Sequence, residues 1–308
     1  MRAISLLLAA AGAVALAAFA IVDPLGAADG WRAGFLLLSA PPIGAVALLL
    51  IARIVGADWD AALTPMLSAL PWLGFLAIPM VIGQALFHYP DGHLHLWLSP
   101  LAFTLRSVLA LLFWSWTARA LCRGKMTQPG PLLLLHGLVV SVMGYDWLLG
   151  VAPAQPESVA PMVLAVMQIG GAAAMACAAG LGTVFQRRDL AYLLVASALG
   201  LGYFLYIDFV IVWFGNLPAH VGWYVERNVA PARVLPALAL LLGLLAPILL
   251  VGLGRSDPAR GWAGRSALVA LGLIAVWIVA GPAGWTGLGA ALAAIFVIGG
   301  LAREARRA

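Results

Sequence analysis

The stretch AGFLLLSAPPIGAVALLLIARI, residues 33–54, decides the fold. It is apolar apart from Ser39 and, near its end, Arg53, and about 20 such residues cross the hydrocarbon of a bilayer as a helix. Segments of the same character recur on either side of it. They lie at 4–22, 67–87, 98–118, 131–152, 158–184, 190–215, 232–253, 265–281 and 286–302. The chain therefore reads as an all-α membrane protein with about ten transmembrane helices, a single integral membrane domain over residues 1–308. Composition agrees. Of 308 residues 64% are hydrophobic and 9% charged, with mean hydropathy +1.04, against the roughly 25% charged of a soluble domain.

The breaks between spans carry turn formers: Asp23-Pro24, Asp58-Trp59-Asp60, Tyr89-Pro90-Asp91-Gly92, Gln128-Pro129-Gly130, Pro153 to Pro156, Arg187-Arg188-Asp189, Asn216-Leu217-Pro218, Ser256-Asp257-Pro258 and Gly281-Pro282. A net charge of +5 would suggest nucleic acid for a soluble protein; here it reports topology instead. With the N-terminus in the cytoplasm, inside ends and loops hold Arg2, Arg53, Arg119, Arg123, Lys125, Arg187, Arg188, Arg255, Arg260, Arg265, Arg303, Arg306 and Arg307. The outside loops keep Arg32, Arg227 and Arg233. The excess of positive charge inside puts both termini in the cytoplasm and requires an even number of spans. The first apolar run, ending near Ala18-Phe19-Ala20, resembles a secretory signal but is read as a retained helix.

Ionisable groups at bilayer depth are costly unless they pair, line water or face protein, so the few present mark the polar interior. Arg106 lies in the outer half of the fourth span and Asp146 near the outer end of the fifth. These antiparallel neighbours bring the two side chains within pairing reach. Arg106 is either a fixed positive charge for a carboxylate or quinone oxygen, or one half of a structural ion pair. His136 lies ten residues before Asp146, roughly 15 Å down the same helix, as a proton-entry group or a histidine satisfied at the headgroup boundary. In the seventh span Tyr203 and Tyr206 share a face at i, i+3. Asp208 stands in an otherwise apolar run there, as a proton relay or a protonated carboxyl bonded to a neighbouring helix. Gln84 and Gln168 are possible polar neighbours. Tryptophans near span ends, including Trp31, Trp59, Trp97, Trp147, Trp213 and Trp223, read as an aromatic belt.

Several chemistries find no support. The outer loop His88 to His95 holds three histidines and Asp91 without helical ligand spacing, and it reads as a solvated or partner-facing loop. Cys122 and Cys177 are far apart and form no cluster. His136 alone lies in a span, so no histidine pair is available for an intramembrane haem. No C-x-x-C-H or phosphate-binding glycine loop is present. The chain is expected to bind no cofactor of its own.

Three stretches together resemble the NrfD/PsrC family of membrane subunits, and within it the F subunit of bacterial alternative complex III. The first runs from Asp58-Trp59 through Leu63-Thr64-Pro65 and Ile78-Pro79 to Tyr89-Pro90. The second pairs Leu105-Arg106-Ser107 with Tyr145-Asp146-Trp147, similar to the family's intramembrane arginine and Phe-Asp-Trp signature. The third is the most specific: Tyr206-Ile207, then Ile211-Val212-Trp213-Phe214-Gly215-Asn216-Leu217-Pro218, then Trp223-Tyr224. The resemblance spans about residues 55–230 and implies two four-helix bundles, helices two to five and six to nine, flanked by the first and last helices. It also implies a place in a quinol:electron-acceptor oxidoreductase, with quinol as possible substrate. Haem c and iron–sulfur clusters are then expected on partner subunits, beside a sister NrfD-like subunit and in some assemblies a terminal oxidase.

The departures alter any inherited proton path. Leu148-Leu149-Gly150-Val151-Ala152-Pro153 replaces the family's polar continuation after Asp146-Trp147. Val210-Ile211 stands where the family has a Ser-Gln pair, and Asp208 where a small residue is usual. Two other readings remain open from the residues: a proton-coupled secondary transporter using Asp146 or Asp208, and a purely structural anchor.

Overall fold

The computed structural model describes residues 2–86, 95–124, 128–149, 159–254 and 256–305, and all regular structure among them is helical. The histidine-bearing loop at 88–94 and the stretch from Pro153 to Pro156 lie outside the described residues, as do Lys125, Arg255, Arg306 and Arg307.

The chain runs through α1 (Arg2–Val22), α2 (Pro24–Val55), α3 (Leu70–Leu86), α4 (Pro100–Cys122), α5 (Pro129–Gly144) and α6 (Ala160–Ala178). It continues through α7 (Val184–Phe214), the short α8 (Pro218–Glu226), α9 (Ala232–Gly252), α10 (Asp257–Ala275) and α11 (Gly284–Ala305). Three π-turns interrupt or extend these helices, at Tyr145–Leu149 after α5, Leu241–Leu245 within α9 and Val276–Ala280 after α10.

Among the described residues seven helices are long and apolar enough to cross a bilayer: α2, α4, α5, α6, α7, α9 and the run Asp257–Gly299. That last run is divided at Gly281–Ala283, where Pro282 interrupts the helix and Gly284 turns at φ 56° before α11 begins. Leu6–Val22 and the 17-residue α3, which contains Pro79, are shorter apolar helices at the expected first and third positions.

Three boundaries move from where hydropathy put them. The second helix begins at Pro24, because Asp23 caps it by accepting the Gly26 N–H at 2.9 Å and Pro24 fits the first helical position. Arg32, expected in an outer loop, therefore lies on α2 and is 1% exposed. The break before α7 falls at Gly180 and Gly182, both left-handed, and Thr183 with Gln186 forms a capping box. Arg187-Arg188-Asp189, expected as a loop, lies within the first two turns of α7. There Arg187 pairs with Asp257 at 2.6 Å and donates to the Gly180 and Gly182 carbonyls. Finally, Ser256 caps a helix that already starts at Asp257.

Helix α2 is the hub. Its most apolar stretch is 83% buried, and it packs on α1, α3, α4, α5, α6, α10 and α11. Helices α3, α4 and α5 gather on one side of it; α6, α7, α9 and α10 pack among themselves on another; α1 and α11 lie together along a third. Small residues make this possible. A Cβ added at Gly30 would stand 2.6 Å from the Gly287 carbonyl, and one at Gly34 would stand 2.9 Å from Ala294 Cβ. One at Gly44 would run into the Gln168 carbonyl. Gly44→Ala is expected to destabilise the fold by about 1–3 kcal/mol, the usual result of overpacking, whereas Gly137→Ala on α5 meets open space. Thermal aggregation of the two detergent-purified variants, followed by fluorescence-detected gel filtration, should separate them by several degrees.

Candidate functional site

Two polar centres lie near the C-terminal ends of α5 and α7. The first joins α4 to α5. Arg106 Nε donates to Asp146 Oδ2 at 2.6 Å and its Nη2 donates to Oδ1 at 2.9 Å, a two-pronged pair of the geometry that suits guanidinium to carboxylate. The Asp146 side chain is 0% exposed and that of Arg106 18%. Trp97 completes the cage. Its indole donates to Asp146 Oδ1 at 3.1 Å, its carbonyl accepts from Arg106 Nη2 at 2.6 Å, and the guanidinium lies 4.0 Å over its ring. Asp146 sits on the π-turn Tyr145–Leu149, a wide turn of the kind often found at functional positions. The sequence brings these two charges within reach, and the structure shows them paired.

From this centre the α4–α5 contact runs inward through indoles. Trp147 donates to Ser107 Oγ at 3.1 Å and packs with tilted ring planes against Trp114, centroids 5.7 Å apart. Trp114 in turn donates to His136 Nδ1 at 3.1 Å. An indole nitrogen only donates, so the His136 proton sits on Nε2 and the two tryptophans pass no proton between His136 and Asp146. Trp147 and Trp31 were expected in an interfacial belt; both are buried, and Trp31 donates to the Leu76 carbonyl at 2.7 Å. Their N–H groups are spent on protein partners rather than on headgroups.

The second centre is built by a chain reversal. After α7, Asn216 adopts a left-handed φ of 46° and Pro218 opens α8, so the helix folds back across the end of α7. That reversal places Tyr224 against Asp208, and its hydroxyl donates to Oδ2 at 3.0 Å. Tyr203 and Tyr206 do not join them. Two helical residues stand roughly 200° apart around the axis, so Tyr206 faces outward at 65% exposure while Asp208 is 6% exposed. The Gln168 side chain is buried and has no hydrogen-bond partner among the described residues, and the Gln84 side chain lies outside them.

Arg227, read from sequence as a loop residue, is buried beside this centre. It lies 3.7 Å over the Trp223 ring and donates to the Trp223 carbonyl at 2.8 Å. It also donates to the carbonyls of Trp277 at 3.0 Å and Ile278 at 2.7 Å, within the π-turn that extends α10. Burial pulls the guanidinium down to about 10, still protonated at neutral pH. On α2, Asp29 and Arg32 lie one turn apart, and Arg32 acts electrostatically on Asp29 and Asp146 while lying 5.8 Å from the Phe103 ring. Neither Arg227 nor Arg32 was singled out by the sequence reading. The i, i+3 spacing of Asp29 and Arg32 was the available signal for one, and Tyr224 and Trp223 stood unused in the quoted motif.

An apolar cavity of about 340 Å³ lies among α6, α7, α9 and α10, with Ser197, Tyr206 and Tyr224 as its polar groups. Its size matches small-molecule sites, which begin near 300 Å³. Among the described residues no group of three or more histidine, cysteine, aspartate or glutamate side chains converges.

These features define a multi-pass helical membrane protein with two polar centres and an apolar cavity. No protein-family model matches the chain, and no curated protein matches it in sequence.

Removing one partner of a buried ion pair strands the other, typically at 3–5 kcal/mol. Asp146→Ala is therefore expected to lower the thermal midpoint strongly, and Arg106→Met with Asp146→Leu together to recover part of the loss. Arg227→Ala should also destabilise, by about 1–3 kcal/mol for the carbonyls it leaves unpaired; unfolding of each purified variant measures both.

Proposed function

We propose that the chain is a membrane subunit of a multi-subunit quinol:cytochrome c or electron-acceptor oxidoreductase of the alternative complex III type, in a bacterial inner membrane. It spans the membrane ten times with both termini in the cytoplasm, anchors iron–sulfur and cytochrome c subunits beside a sister NrfD-like subunit, and contributes to quinol binding. The order and spacing of the three motifs support the family. The Arg106–Asp146 pair stands where that family keeps an intramembrane arginine and its aspartate.

The observation that carries the quinol reading is the cavity beside the Tyr224–Asp208 pair. An apolar body fits the 340 Å³ space. A quinol hydroxyl at its polar edge donates to Tyr224 Oη, whose own proton already points at Asp208. This order of donors leads the proton away from the ligand as the electrons leave toward clusters held by the partners. Asp208 then acts as the proton acceptor and Tyr224 as the group that aligns the hydroxyl.

Tagged protein drawn from mildly solubilised native membranes should co-purify with c-type haem and iron–sulfur subunits and oxidise quinol. A chain that elutes alone, without quinol-dependent electron transfer, refutes the assignment. In the assembled complex Tyr224→Phe and Asp208→Asn should lower turnover about a hundredfold, the lower end for lost acid–base catalysis, with Tyr203→Phe unchanged. For topology, a membrane-impermeant maleimide should label the exposed Cys122 in inverted vesicles and not in intact spheroplasts.

A further inference from the structure

Where the two helix groups meet, two buried polar atoms have no hydrogen-bond partner among the described residues: Asp208 Oδ1 and Trp223 Nε1. Their residues are 6% and 2% exposed. Both line one small cavity of about 20 Å³, walled also by Leu148, Val163 and Ile278. Leu148 follows Asp146 on its π-turn, so the cavity lies at the seam between the two polar centres.

The two atoms make opposite demands. The indole N–H can only donate and the carboxylate oxygen accepts. Tyr224 already occupies Oδ2, so Oδ1 is the oxygen that Asp208, as a lining residue, has left to offer the cavity. A molecule that satisfies both must accept from one and donate to the other. A metal cation fails this test: it cannot accept from the N–H, and the Arg227 guanidinium 3.7 Å over the Trp223 ring repels it. An anion fails against Asp208. Size settles the rest, because a water needs about 10–15 Å³ of such space, and the cavity admits one and not two.

We propose that this cavity is a binding site for a single water molecule that accepts from Trp223 Nε1–H and donates to Asp208 Oδ1. The chain Tyr224, Asp208, water, Trp223 is then continuous, and both Asp208 Oδ1 and Trp223 Nε1 have a partner. The water leaves Asp208 one exchangeable proton neighbour on the side away from Tyr224. The site rests on the shape of this junction alone, so it stands whether or not the chain serves a quinol-oxidising assembly.

A structure of the purified full chain, at a resolution that shows ordered water, should place one peak within hydrogen-bonding distance of both atoms. A direct bond between Trp223 and Asp208, or an empty junction in a map with ordered waters elsewhere, overturns the proposal. Thermal midpoints provide a second readout. In Asp208→Asn the amide N–H₂ turns toward the cavity once Tyr224 holds the oxygen, and the water loses its acceptor. Trp223→Phe should therefore lower the midpoint in the wild-type background and do so by less than half as much in Asp208→Asn. Equal losses in the two backgrounds mean that no water couples the pair, and the proposal fails.

Discussion

A helix enclosed on every side must let its neighbours approach its backbone, and α2 is such a helix. Lipid tails are as apolar as leucine, so burial from water does not hold one membrane helix to another. Close packing and paired polar groups do. Gly30, Gly34 and Gly44 lie along α2 where α11 and α6 press in, each without room for a methyl group. Gly264 on α10 is set in the same way against the Ala174 carbonyl of α6. The arrangement of the remaining helices follows from which of them reaches this glycine-bearing surface. Helix α1 touches α2 less and relies on α11, where Gly12 meets Ala293 and Phe19 lies over Gly289 in an antiparallel contact.

Once the helices are this close, any charge carried inward must find its partner within the protein. Each of the buried cations described here does so differently. Arg106 takes a carboxylate and an aromatic face; Arg227 takes backbone carbonyls and an aromatic face. The contrast has an electrostatic consequence. The Arg106–Asp146 pair is neutral as a unit, whereas Arg227 bonds to neutral carbonyls, feels the carboxylates of Glu226 and Asp29 only through space, and acts electrostatically on Tyr224. At the opposite end of the bundle the ion pairs Arg187–Asp257 and Arg53–Asp60 are partly exposed, and there they contribute less, being open to water and salt.

The apolar spans were legible because a bilayer imposes one length on every crossing segment, and hydropathy reads that length directly. The Arg106–Asp146 pair was legible for a related reason: adjacent antiparallel spans put equal depths side by side. What hydropathy misread was the ends. Arg187-Arg188-Asp189 looked like a loop because it is charged, yet Thr183 and Gln186, at capping-box spacing, were the stronger local signal. The Asp208–Tyr224 contact was not legible at all. It depends on a reversal at Asn216 that swings α8 back, and spacing along one helix points instead to Tyr206, which faces the other way. The tryptophans failed similarly, since position near a span end does not distinguish an indole at the headgroups from one that donates to Ser107 or Leu76 inside.

The π-turns explain why the polar centres gather where they do. A π-turn inserts one extra residue into the helical repeat, so residues beyond it are rotated relative to those before, and the hydrogen-bond ladder opens locally. At Tyr145–Leu149 that rotation carries Asp146 toward α4 while Trp147 and Leu148 turn inward. At Val276–Ala280 the opened ladder leaves the Trp277 and Ile278 carbonyls able to accept from Arg227. These two turns pack against each other, and the second also packs on α2. An uninterrupted helix at either place would present a different face and keep its carbonyls for itself. The irregular turns are therefore the means by which an apolar bundle brings a carboxylate, a guanidinium and an unpaired backbone together at one end of the membrane.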